Sequence, residues 1–442
     1  MQDHSPSDRG VLIAYFRMTL FVPAIAVGCF AGCHVLTPSS RADAHRSVIT
    51  DHGAIGDGTN LNTEAIQKTI DQVAASGGGT VIIPEGVFLS GAIFLKAGVS
   101  LHLDRNAVLK GSTNVSDYPR MMTRIEGHFQ PWLPALVNAD KVDHLRITGE
   151  GTLDGSGKPF WDEFRRRVRA DRTTKNLDVE RPRLVFIENS QDVQISGIHL
   201  KDSGFWNLHL YRCREVVLDG LDIQAVPGSP STDGTDIDSS QNVTIRGCHY
   251  AVNDDCIALK GSKGLLALED KDSPPVEHIH VSDCTFERGG SFVTCGSEAT
   301  IVRDVVVERC KASGSENRGM SMVRLKLRVD TPQTYEEIHF RDITLAGAGN
   351  LISVQPWRQY SELKEGQKPP KHLVRNVTLS NIKGSFGTFG GIRGNPDDRI
   401  EQVTFENIDV QLSAATPLPQ LSGITNLVIK AVKINGADYT GP

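Results

Sequence analysis

The sequence predicts an all-β fold, a right-handed parallel β-helix with a short N-terminal capping helix. One pattern, a polar residue followed by alternating apolar residues, recurs ten times, and five of the nine intervals between copies are 23–27 residues. A unit of this length cannot bury its apolar side alone, whereas stacked coils bury one another. Helical repeats would need amphipathic runs of about ten or more residues, which the alternation excludes. The copies begin at His144, Asp192, Glu215, Asn242, His278, Asp304, Glu337, Asn376, Gln402 and Asn426.

Length and composition fit one elongated domain. The 442 residues would suggest about two or three domains, but a repetitive core grows coil by coil, so we expect a single domain over residues 45–442. The formal net charge of −6 argues against a general nucleic-acid-binding protein, and the 39% hydrophobic fraction describes a soluble fold. We expect a monomer that needs no metal and no cofactor.

Residues 1–44 are typical of an export segment. Arg17 precedes a mostly apolar run, Met18–Gly32, which is too short to span a bilayer comfortably. Cleavage near Ala42–Ala44 would make the segment a secretory signal. The sequence ending at Cys33 resembles a bacterial lipoprotein box, which would leave Cys33 acylated, and an uncleaved anchor is the third alternative. We expect an exported protein, periplasmic, secreted or lipid-anchored to a bacterial envelope, with Cys33 as its only membrane contact.

A helix is predicted near the start of the domain. Asn62 can cap a helix from about Thr63 to Ser76, whose apolar residues fall on one face, and the glycines at 77–79 end it. Short apolar strands follow this helix. Such a helix would plug the open end of the solenoid, as a terminal capping element must.

Three of the six cysteines within the domain occupy one equivalent position. Cys248, Cys284 and Cys310 stand at the seventh place of their copies, where other copies carry Ile, Leu or Val. A residue exchanged for Ile or Leu points into the core, so we expect an apolar ladder of free thiols, with disulfides or metal ligation as the alternatives. Three further cysteines, also expected on strands, are Cys213, Cys256 and Cys295.

Residues 161–183 interrupt the repeat and contain eight basic side chains. One interpretation is a solvated helix or loop. The other is that the segment overhangs a long cleft and contacts an anionic substrate. Four tryptophans are candidates either for stacking on sugar rings or for structural packing. They are Trp132, Trp161, Trp206 and Trp357.

Carboxylates concentrate on two consecutive coils. Asp254 and Asp255 follow Asp233 by 21 and 22 residues, about one coil, and neighbouring coils lie about 4.8 Å apart. Three carboxylates at such distances repel one another, so at least one pKa should rise and leave a protonated acid beside ionised partners. Glycoside hydrolysis needs that division, with an acid for the leaving oxygen and a base for the water. Asp236 and Asp238 could either order the turn or bind a cation.

Cationic side chains follow on a later coil. Arg324 and Lys326, at i and i+2 of a strand, face the same way and could hold a substrate carboxylate. Such a pair can equally be a solvated face. Ser291, between Gly290 and Phe292 on the preceding coil, is a further candidate for substrate binding.

With these motifs the chain resembles the polygalacturonase family of glycoside hydrolases, family 28, over residues 48–435. The segments GDGTNLNTEAIQKTIDQVAASGGGTVIIPEG, GTLDGSGKPFW and DGTDIDSSQNVTIRGC look like those of bacterial members. The family's active-site motifs are Asn-Thr-Asp, Asp-Asp, Gly-His-Gly and Arg-Ile-Lys. Here they are Ser231-Thr232-Asp233, Asp254-Asp255, Gly290-Ser291-Phe292 and Arg324-Leu325-Lys326.

The resemblance implies a right-handed parallel β-helix that hydrolyses galacturonate-containing pectic polysaccharide or oligosaccharide with inversion at the anomeric centre. It implies that Asp254 is the general acid and that Asp233 and Asp255 activate the water. It also implies that Arg324 and Lys326 bind the sugar, often through a galacturonate carboxylate.

Two departures from the family motifs bear on the substrate. Ser231 replaces an asparagine, which is a small loss of hydrogen-bonding reach. Ser291 replaces the histidine, and Phe292 adds bulk where the family keeps glycine. The three carboxylates and the cationic pair are kept, so hydrolysis is the leading prediction. A branched or rhamnose-containing pectin is an expected alternative to plain polygalacturonate as the substrate.

Two other functions stay open. A β-eliminating lyase on the same fold would use aspartates to hold Ca²⁺ and an arginine as base, and would release an unsaturated product. A non-catalytic glycan-binding solenoid is suggested by Ser291 and Phe292, because a fold alone does not carry function.

Overall fold

The structure, a computed structural model, describes residues 45–313, 319–413 and 418–441. The predicted export segment, with its cleavage site and Cys33, lies outside the described residues. From Arg46 onward the chain winds into coils, and strands of successive coils pair in parallel. The predicted parallel β-helix is therefore confirmed.

The larger sheet, here called the wide sheet, takes two strands from most coils. In the later coils these two strands run on as one long strand, as in Thr334–Ala346, which pairs with both strands of the coil before it. Its strands in the described residues are Arg46–Val48, Asp57–Leu61, Gly79–Ile83, Gly86–Ser90, Val99–Leu103, Ala107–Gly111, Arg146–Gly149, Thr152–Asp154, Gln191–Ser196, His199–Lys201, Arg214–Asp219, Asp222–Gln224, Gln241–Arg246, His249–Ala251, Val276–Ser282, Thr285–Arg288, Ile301–Glu308, Lys311–Ala312, Thr334–Ala346, Leu373–Phe386, Arg399–Leu412, Ile424–Ile434 and Ala437–Asp438.

The second sheet, here called the narrow sheet, takes one strand from each coil. Its register is regular where the predicted site residues lie: Ile237 pairs with Leu259, Leu259 with Cys295, and Cys295 with Leu325. These four side chains all point into the core. The residues directly before and after each of them along its strand therefore face outward. Its strands in the described residues are Ile93–Leu95, Val137–Asp140, Val185–Glu188, Leu208–Tyr211, Thr235–Asp238, Ile257–Lys260, Ser291–Cys295, Ser321–Arg328, Asn350–Trp357, Thr388–Ile392 and Gln420–Leu421.

One continuous apolar core runs through the coils between the two sheets. The cysteine ladder is confirmed, because Cys248, Cys284 and Cys310 are buried in this core as free thiols. Their place in the repeat, which other copies fill with Ile or Leu, explains why they behave as small apolar side chains. The other three cysteines of the described residues are also free and buried: Cys213, Cys256 and Cys295.

The predicted capping helix spans Thr63–Ala75 and buries Ile66, Ile70 and Val73 against the first coils. Asn62 does precede the helix as predicted, but the prediction that its side chain caps the helix is wrong, because that side chain makes no capping hydrogen bond. Asn62 is buried, and its amide instead accepts a hydrogen bond from the Ile55 N–H at 2.6 Å and donates to backbone carbonyls nearby. This side chain therefore fixes the loop that leads into the helix.

The remaining helical segments connect the coils. The second α-helix, Lys158–Ala170, begins the segment that the sequence marked as an interruption of the repeat. In the part of the chain that the structure describes, no helix is long and apolar enough to cross a membrane. Short 3-10 helices are Ile49–His52, Val115–Asp117, Asn176–Asp178 and Ala267–Glu269.

A hairpin of two antiparallel strands, Met121–Ile125 and His128–Trp132, covers part of the outward side of the narrow sheet. The Arg124 Nε donates a hydrogen bond to Asp238 Oδ2 at 3.0 Å, and its guanidinium lies 5.0 Å from the centre of the Tyr211 ring. The side chains of Arg124 and Asp238 are each only 1% exposed. The hairpin therefore seals the outward side of these coils from solvent.

Candidate active site

The three predicted catalytic carboxylates come together where two neighbouring strands of the narrow sheet begin. Asp233 precedes Thr235–Asp238, and Asp254 and Asp255 precede Ile257–Lys260. The two segments are joined by the hydrogen bond from the Gly234 N–H to the Asp255 carbonyl, at 2.9 Å. One oxygen atom from each carboxylate lies within 4.8 Å of the others. The one-coil spacing of the sequence therefore did place these groups in contact.

Asp255 is held by the cationic pair that the sequence singled out. Lys326 Nζ lies 2.8 Å from Asp255 Oδ2, and Arg324 Nη1 lies 3.3 Å from Oδ1. The Ser291 hydroxyl donates to Oδ1 at 3.1 Å. Burial alone would raise the pKa of Asp255, but the charges of Lys326 and Arg324 outweigh it and hold the pKa well below its usual range. Asp255 is therefore ionised.

The other two carboxylates have the opposite tendency. Burial, followed by the negative charges of Asp254 and Asp236, raises the pKa of Asp233 well above its ordinary value. Burial, followed by the charge of Asp255, also raises the pKa of Asp254. The sequence predicted that crowding of the three carboxylates would raise at least one pKa. In the structure the pKa values of Asp233 and Asp254 are raised, and that of Asp255 is lowered.

The position of Gly290 allows this close packing. A side-chain β-carbon at residue 290 would lie 2.8 Å from Asp255 Oδ1 and 3.3 Å from Arg324 Nη1. Any larger residue there would displace the carboxylate or its cationic partner. The glycine is thus required by the approach of the backbone to the ion pair.

Phe292 does not alter the shape of the site. Its ring is fully buried in the core and stacks on Phe286, with centroids 4.3 Å apart. The expectation that Phe292 adds bulk to the binding site is therefore wrong. Phe292 and its neighbour Val293 both lie in the core, so the alternation of inward and outward residues is broken where this strand begins. Core residues at the equivalent places in other coils are Cys256, Met322 and Leu351.

Of the two aspartates left open by the sequence, Asp238 is structural. Burial alone would raise the pKa of Asp238, but the charge of Arg124, with His209 Nε2 also 3.5 Å from the carboxylate, lowers it below its usual range. Asp236 is also buried, which raises its pKa to about 8 despite Lys260 at 3.4 Å. Both side chains are engaged by protein groups rather than by the turn.

Lys260 was missed by the sequence analysis. Its ammonium lies 3.8 Å from Asp233 Oδ2, 3.4 Å from Asp236 Oδ1 and 3.8 Å from Glu298 Oε2. Its side chain is only 7% exposed, and its charge balances that of the carboxylates. The signal was available, because a lysine at the end of an apolar strand, one coil after Asp238, is a rare occupant of a buried position.

Asn176 was also missed, and it joins three parts of the chain at the site. Its amide donates to Glu126 Oε1 at the tip of the hairpin, at 2.5 Å, and its Oδ1 accepts a hydrogen bond from Ser231 Oγ at 2.9 Å. Arg181 donates to the same oxygen. The segment 161–183 therefore reaches the site through an amide rather than through its exposed arginines.

These groups line a pocket of about 320 Å³ above the three carboxylates. The segment 161–183 borders the pocket with Phe164 and Asn176, and all of its basic residues are described but none is part of the lining. Arg166 and Arg167 instead pair with Glu163 on the surface of the helix. Contact between those arginines and an anionic substrate stays a prediction.

The tryptophans divide into two kinds. Trp132 and Trp161 are buried, and their indole N–H groups donate to the carbonyls of Arg181 and Ser203, so they serve packing. Trp206 and Trp357 line the pocket. Their rings also face cations, with Lys260 Nζ 4.5 Å from one ring centre and Lys326 Nζ 4.8 Å from the other. Trp206 is itself buried, in the same small apolar cluster as Trp132, whereas Trp357 is partly exposed and is the ring that offers an aromatic surface at the pocket.

The three carboxylates are spaced closely enough to contact one ion. However, three cationic side chains, Lys260, Arg324 and Lys326, already lie within 4 Å of the group and balance its charge. A Ca²⁺ site prefers an uncompensated set of oxygen ligands. We therefore assign no metal to this site, and its composition favours acid–base chemistry over metal-dependent β-elimination.

Comparison with known proteins agrees with this geometry. Residues 75–432 match the sequence profile of Glycosyl hydrolases family 28. A probable polygalacturonase from Vitis vinifera is 29% identical over 391 residues, which cover 84% of this chain and 75% of that protein. An exopolygalacturonase from Zea mays is 27% identical over 353 residues, 77% of each chain.

The fold has a close counterpart among solved structures. The crystal structure of a hyperthermoactive exopolygalacturonase from Thermotoga maritima matches with a TM-score of 0.73 at 23% identity, covering 90% of this chain and 94% of that one. Its right-handed parallel β-helix confirms the predicted handedness. Since the family profile spans most of the sequence, and the predicted carboxylates and cations meet in one pocket, the chain is a glycoside hydrolase that belongs to family 28.

Proposed function

We propose that this family 28 chain hydrolyses the galacturonosyl linkages of polygalacturonan by a single displacement with inversion at the anomeric carbon. The observation that carries the proposal is the group formed by Asp233, Asp254 and Asp255, with one oxygen of each within 4.8 Å of the others. The names of the plant relatives, polygalacturonase and exopolygalacturonase, support the choice of polymer.

Asp254 is the general acid in this proposal. Asp233 has Lys260 within 4 Å and Asp255 has Lys326, whereas in the described part of the chain no cationic group lies within 4 Å of the Asp254 carboxylate. Burial, followed by the charge of Asp255, raises its pKa. The pKa of Asp233 is raised as well, so the assignment rests on the charges: Lys260 beside Asp233 favours its ionised form, and Asp254 has no such partner among the described residues. Asp254 is therefore the carboxyl that keeps its proton and donates it to the glycosidic oxygen as the bond to the anomeric carbon breaks.

Asp233 and Asp255 act together on the water. They lie on adjacent coils and can hold one water between them, taking its proton as its oxygen bonds to the anomeric carbon. Inverting enzymes commonly separate their carboxyl groups by about 6.5–9.5 Å, more than is seen here. We nevertheless assign a water rather than a covalent intermediate, because both oxygens of Asp255 already accept hydrogen bonds, from Ser291 and Lys326.

The enzyme is proposed to act at a chain end. On the N-terminal side of the site the hairpin covers the outward side chains of the narrow sheet, and His209 and Tyr211 are fully buried there. On the C-terminal side the outward-facing Gln355 is exposed and Ser353 is half-buried. A polymer can therefore extend from the pocket in one direction only. The name of the Zea mays relative, exopolygalacturonase, supports the same mode.

A branched or rhamnose-containing pectin stays the alternative substrate. The sequence argument for it used Ser291 and Phe292, but Phe292 lies in the core, and Ser291 alone now supports it. Ser291 is fully buried and donates a hydrogen bond to Asp255. It therefore positions that carboxylate and does not form part of the pocket wall. Plain polygalacturonan is therefore the favoured substrate.

The product pattern tests this function. With polygalacturonate at low conversion we expect monogalacturonate as the main early product, together with a slow fall in viscosity, because only terminal units can enter the pocket. Anion-exchange chromatography and viscometry of the same samples measure both.

Two outcomes would contradict the proposal. An early ladder of oligogalacturonides with a rapid fall in viscosity would show cleavage within the chain. A higher rate on a rhamnose-containing or branched pectin, measured in the same panel, would show the alternative substrate to be the preferred one.

A further inference from the structure

Lys260 is a buried ammonium group for which the proposed mechanism has given no role. We propose that Lys260 is a positioning residue that keeps Asp233 as a proton acceptor, as Lys326 does for Asp255. This inference rests on the proposed hydrolytic function, because it assigns one lysine to each of the two carboxylates that share the water. It concerns Asp233 alone and leaves the identity of the acid unchanged.

The two lysines occupy equivalent places on the narrow sheet. Leu259 pairs with Cys295 and Cys295 pairs with Leu325, so the residues that follow them form one column across three coils. Lys260 stands at one end of this column and Lys326 at the other, two coils apart. Both ammonium groups therefore leave the sheet on the same side, toward the carboxylates.

The middle place of this column is a glycine. Gly296 has a φ of +95°, in the left-handed region, and a β-carbon there would lie 2.8 Å from the Tyr335 hydroxyl and 3.5 Å from the Lys326 β-carbon. A side chain at this place would crowd the space between the two lysines. The coil between them thus contributes no side chain to the column, and each lysine faces its own aspartate.

Each lysine also has the same aromatic support. The ammonium of Lys260 lies 4.5 Å from the centre of the Trp206 ring, and that of Lys326 lies 4.8 Å from the centre of the Trp357 ring. A cation over an aromatic face is attracted to it and loses freedom of movement. This repeated arrangement holds both charges at fixed places beside the carboxylates.

The environment of Lys260 is more acidic than that of Lys326. Its nearest groups are Asp236 at 3.4 Å, Asp233 at 3.8 Å and Glu298 at 3.8 Å. Glu298 is also paired with Arg328 at 3.3 Å, which leaves most of the charge of Lys260 to the two aspartates. The other charged and titratable groups that act on this cluster include two buried arginines, and they are Glu126, Arg181, Arg183, His209, Asp254, Asp255 and Lys263.

Asp236 does not compete with Asp233 for this charge below neutral pH. Apart from the ion pair with Lys260, its two carboxylate oxygens have no hydrogen-bond partner among the described residues, and burial raises its pKa to about 8. Below that pH Asp236 is therefore largely protonated and neutral. Lys260, together with the buried guanidinium of Arg181, then opposes the effects of burial and of Asp254, both of which raise the pKa of Asp233.

The pH profile of Lys260→Met tests the inference. Without the ammonium the pKa of Asp233 rises, and since a base must be ionised, the acidic limb of kcat/KM moves to higher pH. We expect an upward shift of at least about one pH unit, which is about tenfold lower kcat/KM at a pH on the wild-type limb. The loss should shrink as the pH rises. Lys260→Arg, which keeps the charge, should retain the wild-type limb.

Lys263→Met is the matched control, because Lys263 has an equally buried side chain but pairs with Glu362 at 3.3 Å. The acidic limb of the kcat/KM profile of Lys263→Met should stay at the wild-type pH. If Lys260→Met does not fold, Lys260→Met/Asp236→Asn removes the carboxyl left without its partner, and the same upward shift is expected. A loss of kcat/KM that is uniform over pH would overturn the inference while the hydrolytic function stands. Wild-type protein inactive on polygalacturonate would overturn both.

Discussion

Asp254→Asn is expected to lower kcat for polygalacturonate hydrolysis by about 10²–10⁴-fold, the usual contribution of a general acid. The amide cannot donate a proton to the leaving oxygen. Its Oδ1 can still accept the hydrogen bond that the Asp255 N–H donates to Asp254 at 3.0 Å. The fold should therefore be kept, and thermal unfolding should occur near the wild-type temperature, because the amide is as uncharged as the protonated acid that it replaces. Initial rates of reducing-sugar release measure the loss.

An activated substrate separates the acid from the bases. An aryl galacturonoside with an acidic phenol needs little protonation of its leaving group, so Asp254→Asn should lose far less activity on it than on the polymer. Asp255→Asn is the matched variant, because it removes a base and should be impaired on both substrates. Equal losses for Asp254→Asn on the two substrates would refute its role as the acid.

Arg124→Ala is expected to lower the free energy of unfolding by about 3–5 kcal/mol, because it leaves the carboxylate of Asp238 buried and without its main cation. Both side chains are 1% exposed, so solvent cannot replace the lost partner. The Arg124 carbonyl also accepts a hydrogen bond from Arg183 at 2.8 Å, which the substitution leaves in place. Equilibrium denaturation by urea measures the change.

The control for this prediction is Arg120→Ala, just before the same hairpin. Arg120 pairs with Glu180, but its side chain is 62% exposed, and an exposed pair contributes only about 0–1 kcal/mol. If both substitutions lower the stability by the same small amount, the hairpin is not held by its buried ion pair. The covered side of the narrow sheet, and with it the proposed chain-end action, would then lose its structural basis.

The architecture and the carboxylate group could be predicted because both follow from the period of the repeat. Alternation of apolar residues fixes which side chains enter the core, as it does for Cys248 and its neighbours in the ladder. The distance of one coil between Asp233 and Asp255 then places the two carboxylates side by side. Both are regular spacings in the sequence. In a stacked fold, residues one coil apart in the sequence become neighbours in space.

The features that were not predicted depend on exceptions to that period. The hairpin containing Arg124 lies outside the repeat and reaches across several coils, so no spacing in the sequence reveals what it covers. Phe292 and the next residue, Val293, both lie in the core, against the alternation that the following residues obey. Lys260 is unusual as a lysine at the end of an apolar strand, but only the register of the sheet shows that it faces the same side as Lys326.

The stereochemistry of the first product tests the central claim most directly. The claim is that Asp233 and Asp255 deliver a water in one step while Asp254 protonates the leaving oxygen. Proton NMR of the reaction, recorded before the released sugar mutarotates, should show first the anomer whose configuration is opposite to that of the cleaved linkage. If the anomer with the configuration of the substrate appears first, the reaction passes through a covalent intermediate, and the roles given to these carboxylates are contradicted.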